Sequence, residues 1–298
     1  MSEYEHQVRI ATFEWLTRAV ERHGDILSRD LLSRGFGFRG DRIPLVAPQG
    51  IFKPRKCEIP LTITTTTGGP YDDSFDENGM LAYRYRGTDP DHRDNRGLRQ
   101  AMLDGIPLAY FHGVVPGKYL AVWPVYIVGD NPGQLTFTVA ADDHVSIDTD
   151  KNRTAPDPTP RREYITRSVR QRLHQRGFQE RVMRAYREHC TICRLKHREL
   201  LDAAHIIPDS EPDGAPVVNN GLALCKIHHA AYDRGVLGIT PDFEVSIRED
   251  VLIEKDGPML KHGLVEMHGV KLFLPRSKSD WPDQERLERR FISFLDST

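Results

Sequence analysis

The chain has little of what membrane-spanning and disulfide-bonded proteins contain. No apolar run in its 298 residues approaches the roughly 18 that span a bilayer, and the opening MSEYEHQVRI lacks the apolar stretch of a signal peptide. Its 4 cysteines are too few for the disulfide framework of a secreted protein and favour a reducing compartment. We therefore expect a cytoplasmic protein that does not engage a membrane.

The charge of the chain is small but unevenly distributed. Hydrophobic residues make up 39% and charged residues 28%, as in a globular protein long enough for two domains, and the net charge is −2. Residues 161–200 contain 12 Lys and Arg against 4 Glu, a net +8, so the remainder carries −10. Alone, such a stretch is more often a solvated helix face, but it is also typical of a DNA-binding face. The predicted DNA-binding residues are Arg167, Arg170, Arg181 and Arg184.

Three cysteines and one histidine are spaced like the ligands of a structural zinc ion. Cys190 and Cys193 form a CxxC pair, and Cys225 with His228 forms a CxxH pair about thirty residues later. A short, loop-rich unit buries too little apolar surface to be stable alone, so a bound Zn²⁺ would contribute folding free energy. His197 could replace His228 as the fourth ligand, and the cysteines could instead be ordinary buried thiols or a disulfide.

The segments next to these cysteines predict a strand pair and a helix around the zinc. The run DAAHII, residues 202–207, is predicted to be a strand with His205 on one face and Asp202 on the other. The segment after the third cysteine is predicted to be a helix that places His229 and Asp233 one turn apart on the same side.

The sequences CTIC, DAAHIIP and NNGLALCKIHHAAYDRG resemble the HNH nuclease family, which has a ββα-metal fold. The resemblance implies that His205 is the general base, that His229 holds a single Mg²⁺, Mn²⁺ or similar ion, and that Asn220 braces the loop positioning the base. The chemistry is consistent, because a neutral imidazole accepts a proton near pH 7 and a cation neutralises the charge that builds on a phosphodiester. We therefore predict an HNH-type DNA endonuclease.

The chain departs from the family at one position. Many members carry an Asp or His metal ligand immediately before the base, where this chain has Ala204. Asp202 and Asp233 are the alternatives for the missing carboxylate, and Asp233 is favoured because a ligand pair at i and i+4 on a helix is preorganised. Each could also be purely structural, Asp202 as a strand-end cap and Asp233 as a turn residue.

The first half of the chain predicts helices followed by a curved sheet. Apolar residues at helical spacing predict a helix over Glu5–Arg22. From Leu61 the pattern becomes β-branched and aromatic with period two, which predicts a curved sheet or barrel interrupted by one helix near Asp94–Asp104.

The order GGPYDDSFDENGMLAYRYRG, DNRGLRQAMLDGIPLAYFHG and GKYLAVWPVYIV resembles the SRA domain, a PUA-like barrel that reads modified cytosine. The resemblance implies that Tyr71 and Tyr85 sandwich a flipped base, a mechanism that lets a pocket inspect the modification. Where the family uses an Asp to read the base edge, the aligned residue is Ser74. Both tyrosines could instead be strand aromatics that pack a core. The predicted pocket residues are Tyr71, Asp73, Ser74, Asp76 and Tyr85.

Together these patterns predict an α+β protein of two domains. Residues 1–147 would form the SRA/PUA-like reader with N-terminal helices, 148–160 a Pro-rich linker, and 161–298 the HNH endonuclease, whose arginine-rich start reads as one or two helices interrupted near Gly177. This is the order expected of a modification-dependent restriction endonuclease acting on double-stranded DNA as a homodimer, since one centre cuts one strand. The alternatives are a repair or mobile-element nuclease without modification dependence, and a catalytically inactive DNA-binding module.

Overall fold

The computed structural model describes residues 1–66, 80–142 and 159–296 in full and 74–75 by backbone alone. By internal contacts the chain divides into two compact units, Met1–Arg176 and Gly177–Thr298. In the described residues the helices are α1 Glu3–His23, α2 Arg29–Arg34, α3 Arg93–Leu103, α4 Thr159–Ala185, α5 Lys226–Asp233, α6 Glu249–Leu252, α7 Pro258–Gly263 and α8 Gln284–Leu295. The strands are β1 Ile26–Ser28, β2 Phe36–Phe38, β3 Asp41–Ile43, β4 Ile51–Phe52, β5 Thr62–Thr65, β6 Ser74–Phe75, β7 Leu81–Arg84, β8 Leu108–Val115, β9 Lys118–Asn131, β10 Thr136–Ala141, β11 Leu201–His205, β12 Gly221–Cys225, β13 Leu237–Ile239 and β14 Val245–Ile247.

The first unit is built on one eight-stranded sheet that curls into a half-barrel. Its described strands follow the order β4-β5-β8-β9-β10-β7-β6, with β1 pairing to β9 off that path. Only β5 and β8 pair in parallel, and the remaining described pairs are antiparallel. The long strand β9 contacts three partners and so forms the centre of the sheet.

Apolar alternation along these strands fills two cores in the first unit. One core lies between sheet strands and includes Tyr85 and Phe137, and it also receives Val169 and Leu173 from α4. The other lies under α1, whose buried stripe includes Leu16. Helix α1 begins with a capping box in which the Ser2 and Glu5 side chains satisfy each other's backbone N–H groups.

The second unit contains a two-stranded ribbon followed at once by a helix. Strands β11 and β12 are antiparallel, with His205 opposite Gly221 and Leu201 opposite Cys225, and α5 begins directly after Cys225. A second ribbon of β13 and β14 and the C-terminal helix α8 complete one hydrophobic core with the end of α4. The ribbon and α5 therefore form a ββα unit.

The predicted α+β class is confirmed, as are helices over Glu5–Arg22 and 94–104 to within two residues. The predicted interruption near Gly177 is wrong, because α4 runs without a break from Thr159 to Ala185. Most of the predicted linker lies outside the described residues. Among the described helices none is long and apolar enough to cross a membrane, and the cytoplasmic location stays a prediction.

Candidate active site

The four predicted zinc ligands converge on one point of the second unit. One ligand atom from each of Cys190, Cys193, Cys225 and His228 lies within 4.8 Å of the others. His228 Nδ1 is 3.4 Å from Cys190 Sγ and 3.2 Å from Cys225 Sγ, and the sulfurs of Cys193 and Cys225 are 4.0 Å apart. Ligand atoms around a tetrahedral zinc ion lie about 3.5–3.8 Å from one another, and these spacings are close to that range. The donor set and its spacing fit Zn²⁺. His197 is exposed and pairs with Glu199 instead.

Local backbone geometry brings the two pairs of ligands together. A tight turn follows Cys190, with the Arg194 N–H donating to the Cys190 carbonyl and Arg194 in the left-handed region at φ 60°. Cys225 is the N-cap of α5, so His228 lies one turn into the helix on the same side. Hydrogen bonds from the Cys190 and Cys193 thiols hold the pKa of the Cys225 thiol well below its usual range, which favours the thiolate that binds metal.

The far side of the His228 ring is held by a distant segment. Its Nε2 lies 2.8 Å from the carbonyl oxygen of Gly263, at the end of α7. A carbonyl accepts only a hydrogen, so a proton sits on Nε2, and Nδ1, which faces the cysteines, is the nitrogen left to bind a metal. The contact therefore fixes the tautomer that a metal ligand requires.

The imidazole of His205 lies at the end of β11 beneath an aromatic ring. The Phe178 ring from α4 stacks on it with centroids 4.0 Å apart and planes 15° from parallel. Its Nε2 is buried and has no hydrogen-bond partner among the described residues. Burial lowers the pKa of His205, and its effect outweighs the opposing effect of the Asp209 carboxylate; the nearby His229 lowers the pKa further. The imidazole is thereby kept neutral at physiological pH.

Asn220 lies in the loop between the ribbon strands and holds the chain that leaves His205. It is fully buried. Its side-chain oxygen accepts the Ile207 N–H at 2.9 Å, and its amide donates to the Ile207 carbonyl at 3.0 Å and the Ala215 carbonyl at 3.1 Å. Two of these contacts fix the backbone at Ile207, two residues beyond His205, and the third ties the Ala215 stretch of the same loop.

The His229 ring lies between the two carboxylates proposed from the sequence. Its Nδ1 is 3.4 Å from an Asp202 oxygen, and its Nε2 is 3.3 Å from an Asp233 oxygen. Lys226 donates to both oxygens of Asp202, at 2.6 and 2.7 Å. Burial alone would raise the pKa of Asp202, but the hydrogen bonds from Lys226 and His229 lower it, so this carboxylate is ionised. Ala204 is buried, and a methyl group there offers no metal ligand.

The four arginines predicted to contact DNA all lie on α4, in different surroundings. Arg167 and Arg184 are exposed, Arg170 is half-buried, and Arg181 donates to the Pro216 carbonyl at 2.9 Å. Arg181 thus has a structural contact, and the DNA-binding role of all four arginines stays a prediction.

Of the predicted modified-base pocket, only Tyr85 is described in full. Tyr71, Asp73 and Asp76 lie outside the described residues, and of Ser74 only the backbone is described, in β6. The Tyr85 ring is buried and stacks on Phe137 with centroids 4.5 Å apart, and its hydroxyl donates to Asp130 and accepts from Arg99. The ring therefore packs in the core of the first unit, and its role in reading a base stays a prediction.

Tyr85 also reaches a cavity of the first unit. The cavity measures about 460 Å³. Its lining includes Arg29, Gln49, Thr64, Tyr83, Tyr85 and Tyr119. Its volume lies in the range of small-ligand sites, and aromatic and polar groups share its walls.

Sequence reasoning missed three residues that shape the active site. Phe178 has the helical spacing of a core residue, and Lys226 looks like a solvated helix residue. Gly263 contributes only a carbonyl from a segment far along the chain. One helical turn after Lys226 the chain has Ala230, so the sequence offers Lys226 no acidic partner on its own helix. The strand register, with Asp202 opposite Leu224, brings Asp202 to Lys226.

The second unit has a ββα unit that holds the Cys3His cluster, with His205 at the end of its first strand and His229 on its helix. This is the arrangement of a ββα-metal nuclease. Residues 190–240 match the family model described as HNH endonuclease. The chain therefore carries an HNH endonuclease domain, and the predicted HNH-type endonuclease is confirmed.

Whole-chain comparisons add little. Among solved structures, one similar chain is a "Modification dependent TagI restriction endonuclease", with 17% identity over 92% of this chain and 88% of that chain and a TM-score of 0.28. A TM-score this low is evidence of neither a shared overall fold nor a shared function. No curated protein matches the chain.

Proposed function

We propose that the second unit hydrolyses DNA phosphodiester bonds with His205 as the general base. The observation that carries this is the juxtaposition, inside the HNH match, of the half-buried His205 imidazole at the end of β11 with the His229–Asp233 pair on α5, the helix that packs against that strand. Because Nε2 of His205 is buried, Nδ1 is the nitrogen that can take a proton from water. Asn220, by fixing Ile207, holds the strand end from which the imidazole projects.

The residues around His229 fit a single divalent cation such as Mg²⁺ or Mn²⁺. Nε2 of His229 and the exposed Asp233 carboxylate are close enough to share an ion. Asp202, already bonded by Lys226, would instead accept the Nδ1 proton of His229 and orient the ring, a common arrangement behind a metal-bound histidine. Such an ion, when bound, neutralises charge developing on the phosphate oxygens and the leaving group.

A pair of matched variants separates these two carboxylates. Asp233→Asn should raise the Mg²⁺ concentration needed for half-maximal cleavage at least tenfold. Asp202→Asn should lower the turnover rate with a smaller change in that concentration, because it disturbs ring orientation rather than a ligand. The reverse pattern would assign Asp202 as the ligand.

We further propose that the first unit confines cleavage to double-stranded DNA bearing a modified cytosine. The cavity beside Tyr85 supports this, since its volume and mixed lining suit one extruded base, and base extrusion lets a protein inspect a groove-facing substituent. Arg167 and Arg184 would contact the phosphate backbone. A double-strand break then requires a homodimer or two binding events, because one centre cuts one strand.

The division of labour proposed from the sequence is retained. A reader would occupy 1–147 and a nuclease 161–298, with 148–160 joining them. Restriction of modified DNA is the biological role that this order supports.

The decisive experiment compares three versions of one plasmid: unmodified, 5-methylated and 5-hydroxymethylated at cytosine. Each is digested with Mg²⁺, with Mn²⁺ or with chelator, using wild type and His205→Ala. We expect ion-dependent cleavage of a modified plasmid by wild type and none by the variant. Equal cleavage of all three plasmids would indicate a nuclease without modification dependence, and no cleavage with any ion would indicate an inactive DNA-binding module.

A further inference from the structure

The imidazole of His205 lacks the usual means of orientation. A catalytic histidine is normally held by a hydrogen bond from its second ring nitrogen to a carboxylate or carbonyl. Here Nε2 is buried with no partner in the described part of the chain. Asp209 and His229 are the charged groups that act on the ring, and neither makes a hydrogen bond to it within the described residues. Something else must fix the plane of the ring.

The Phe178 ring is the group in position to do so. It is 2% exposed, anchored in the hydrophobic core of the second unit, and lies nearly parallel to the imidazole at 4.0 Å. A ring stacked at this distance covers one face of the imidazole, so rotation of the imidazole about its χ2 angle would collide with it.

Gly221, opposite His205 in the ribbon, gives independent support. Its φ of −132° is ordinary extended backbone, so conformation does not demand glycine there. Space does: a Cβ at this position would lie 2.5 Å from Val182 Cγ2 and 2.8 Å from Phe178 Cζ. Glycine has only a hydrogen as its side chain, so Gly221, opposite His205 in the ribbon, leaves room for the Phe178 ring.

We propose that Phe178 is a positioning residue for the general base and that Gly221 provides the space in which its ring stacks on His205. This inference rests on the proposed role of His205. Phe178 does not touch the reacting atoms; it restricts the base to the orientation from which Nδ1 meets water and shields one face from solvent.

The test compares Phe178→Leu with Phe294→Leu, a matched loss of a buried ring in the same unit, under conditions where both are folded and zinc-loaded. Phe178→Leu should lower kcat about tenfold or more with KM within twofold, and should move the acid limb of the pH profile upward as the imidazole regains water. Phe294→Leu should do neither. Phe178→Met, which keeps side-chain length, serves if the leucine variant does not fold.

A second measurement needs no catalysis. NMR titration of the His205 ring without divalent ion should give a higher pKa in Phe178→Leu than in wild type, whether or not the protein cleaves DNA. Wild-type kcat and an unmoved ring pKa in the folded variant would overturn the proposal. So would a kcat loss matched by Phe294→Leu, which would mean that lost packing alone is responsible. An inactive wild type whose His205 pKa still responds to Phe178 would instead refute the proposed catalytic function.

Discussion

Asn220→Ala tests whether the loop after His205 is held by a single side chain. The substitution removes three hydrogen bonds and leaves the buried N–H and carbonyl of Ile207 and the partly buried carbonyl of Ala215 without these partners. At roughly 1 kcal/mol for each bond, the second unit should lose about 3 kcal/mol of unfolding free energy.

The adjacent Asn219 provides the control. It is half-buried, and its side chain accepts one hydrogen bond from Arg286 at 2.9 Å. Asn219→Ala should therefore cost less than Asn220→Ala, because one half-buried hydrogen bond is lost rather than three. Because Ile207 follows His205 so closely, Asn220→Ala should also abolish most cleavage at temperatures where it is folded, whereas Asn219→Ala should retain it.

Urea unfolding of both variants, with zinc present and saturating, measures the free energies, and cleavage of a preferred plasmid measures activity. Equal destabilisation by the two alanines would refute the assignment of the three bonds. Full activity in folded Asn220→Ala would show that the loop does not position the base.

Three further predictions concern the pH range and the metal. The acid limb of the cleavage profile should lie below pH 6.5, because burial lowers the pKa of His205 and a neutral imidazole is the active form; a limb above 6.5 in a rate limited by chemistry contradicts this. Chelation should make the three cluster thiols reactive to iodoacetamide. Cys57 should react about 100-fold more slowly at pH 8, because burial raises the pKa of its thiol to about 11. Equal rates of modification for all four cysteines, measured by mass spectrometry, would argue against the cluster. Burial would raise the pKa of Glu5, but the N–H groups of Ile59, Ser2 and Glu58 lower it, so its stabilisation is present above the unfolded pKa and lost as pH falls through the lower folded value. Glu5→Gln should thus cost about 1–3 kcal/mol at pH 7 by thermal unfolding and progressively less as the pH falls below the usual pKa of a glutamate, and a pH-independent cost would be inconsistent.

The sequence revealed the parts of the site that depend on local spacing. CxxC, CxxH and the helix positions of His229 and Asp233 are set by a few covalent bonds and one helical turn, so pattern alone places them. Phe178 and Gly263 could not be found this way, because each reaches its histidine through tertiary packing across a long stretch of chain.

The break predicted in α4 illustrates how tertiary packing overrides a local signal. Glycine weakens a helix interior by only about 1 kcal/mol, and Gly177 lies between Leu173 and Phe178, each buried in a hydrophobic core. Burying such side chains stabilises the continuous helix by more than the glycine costs. Composition alone does not reveal which side chains will be buried.

The carbonyl of Gly263 lies well beyond residue 240, where the HNH match ends, and yet it accepts the hydrogen bond that orients His228, the histidine of the zinc cluster. Thr191, inside the CxxC turn, is likewise tied to Phe273 by hydrogen bonds in both directions. A fragment cut at the edge of the recognisable motif would keep every ligand and lose the supports that aim them. Anyone dissecting this nuclease should therefore carry the C-terminal boundary past Phe273.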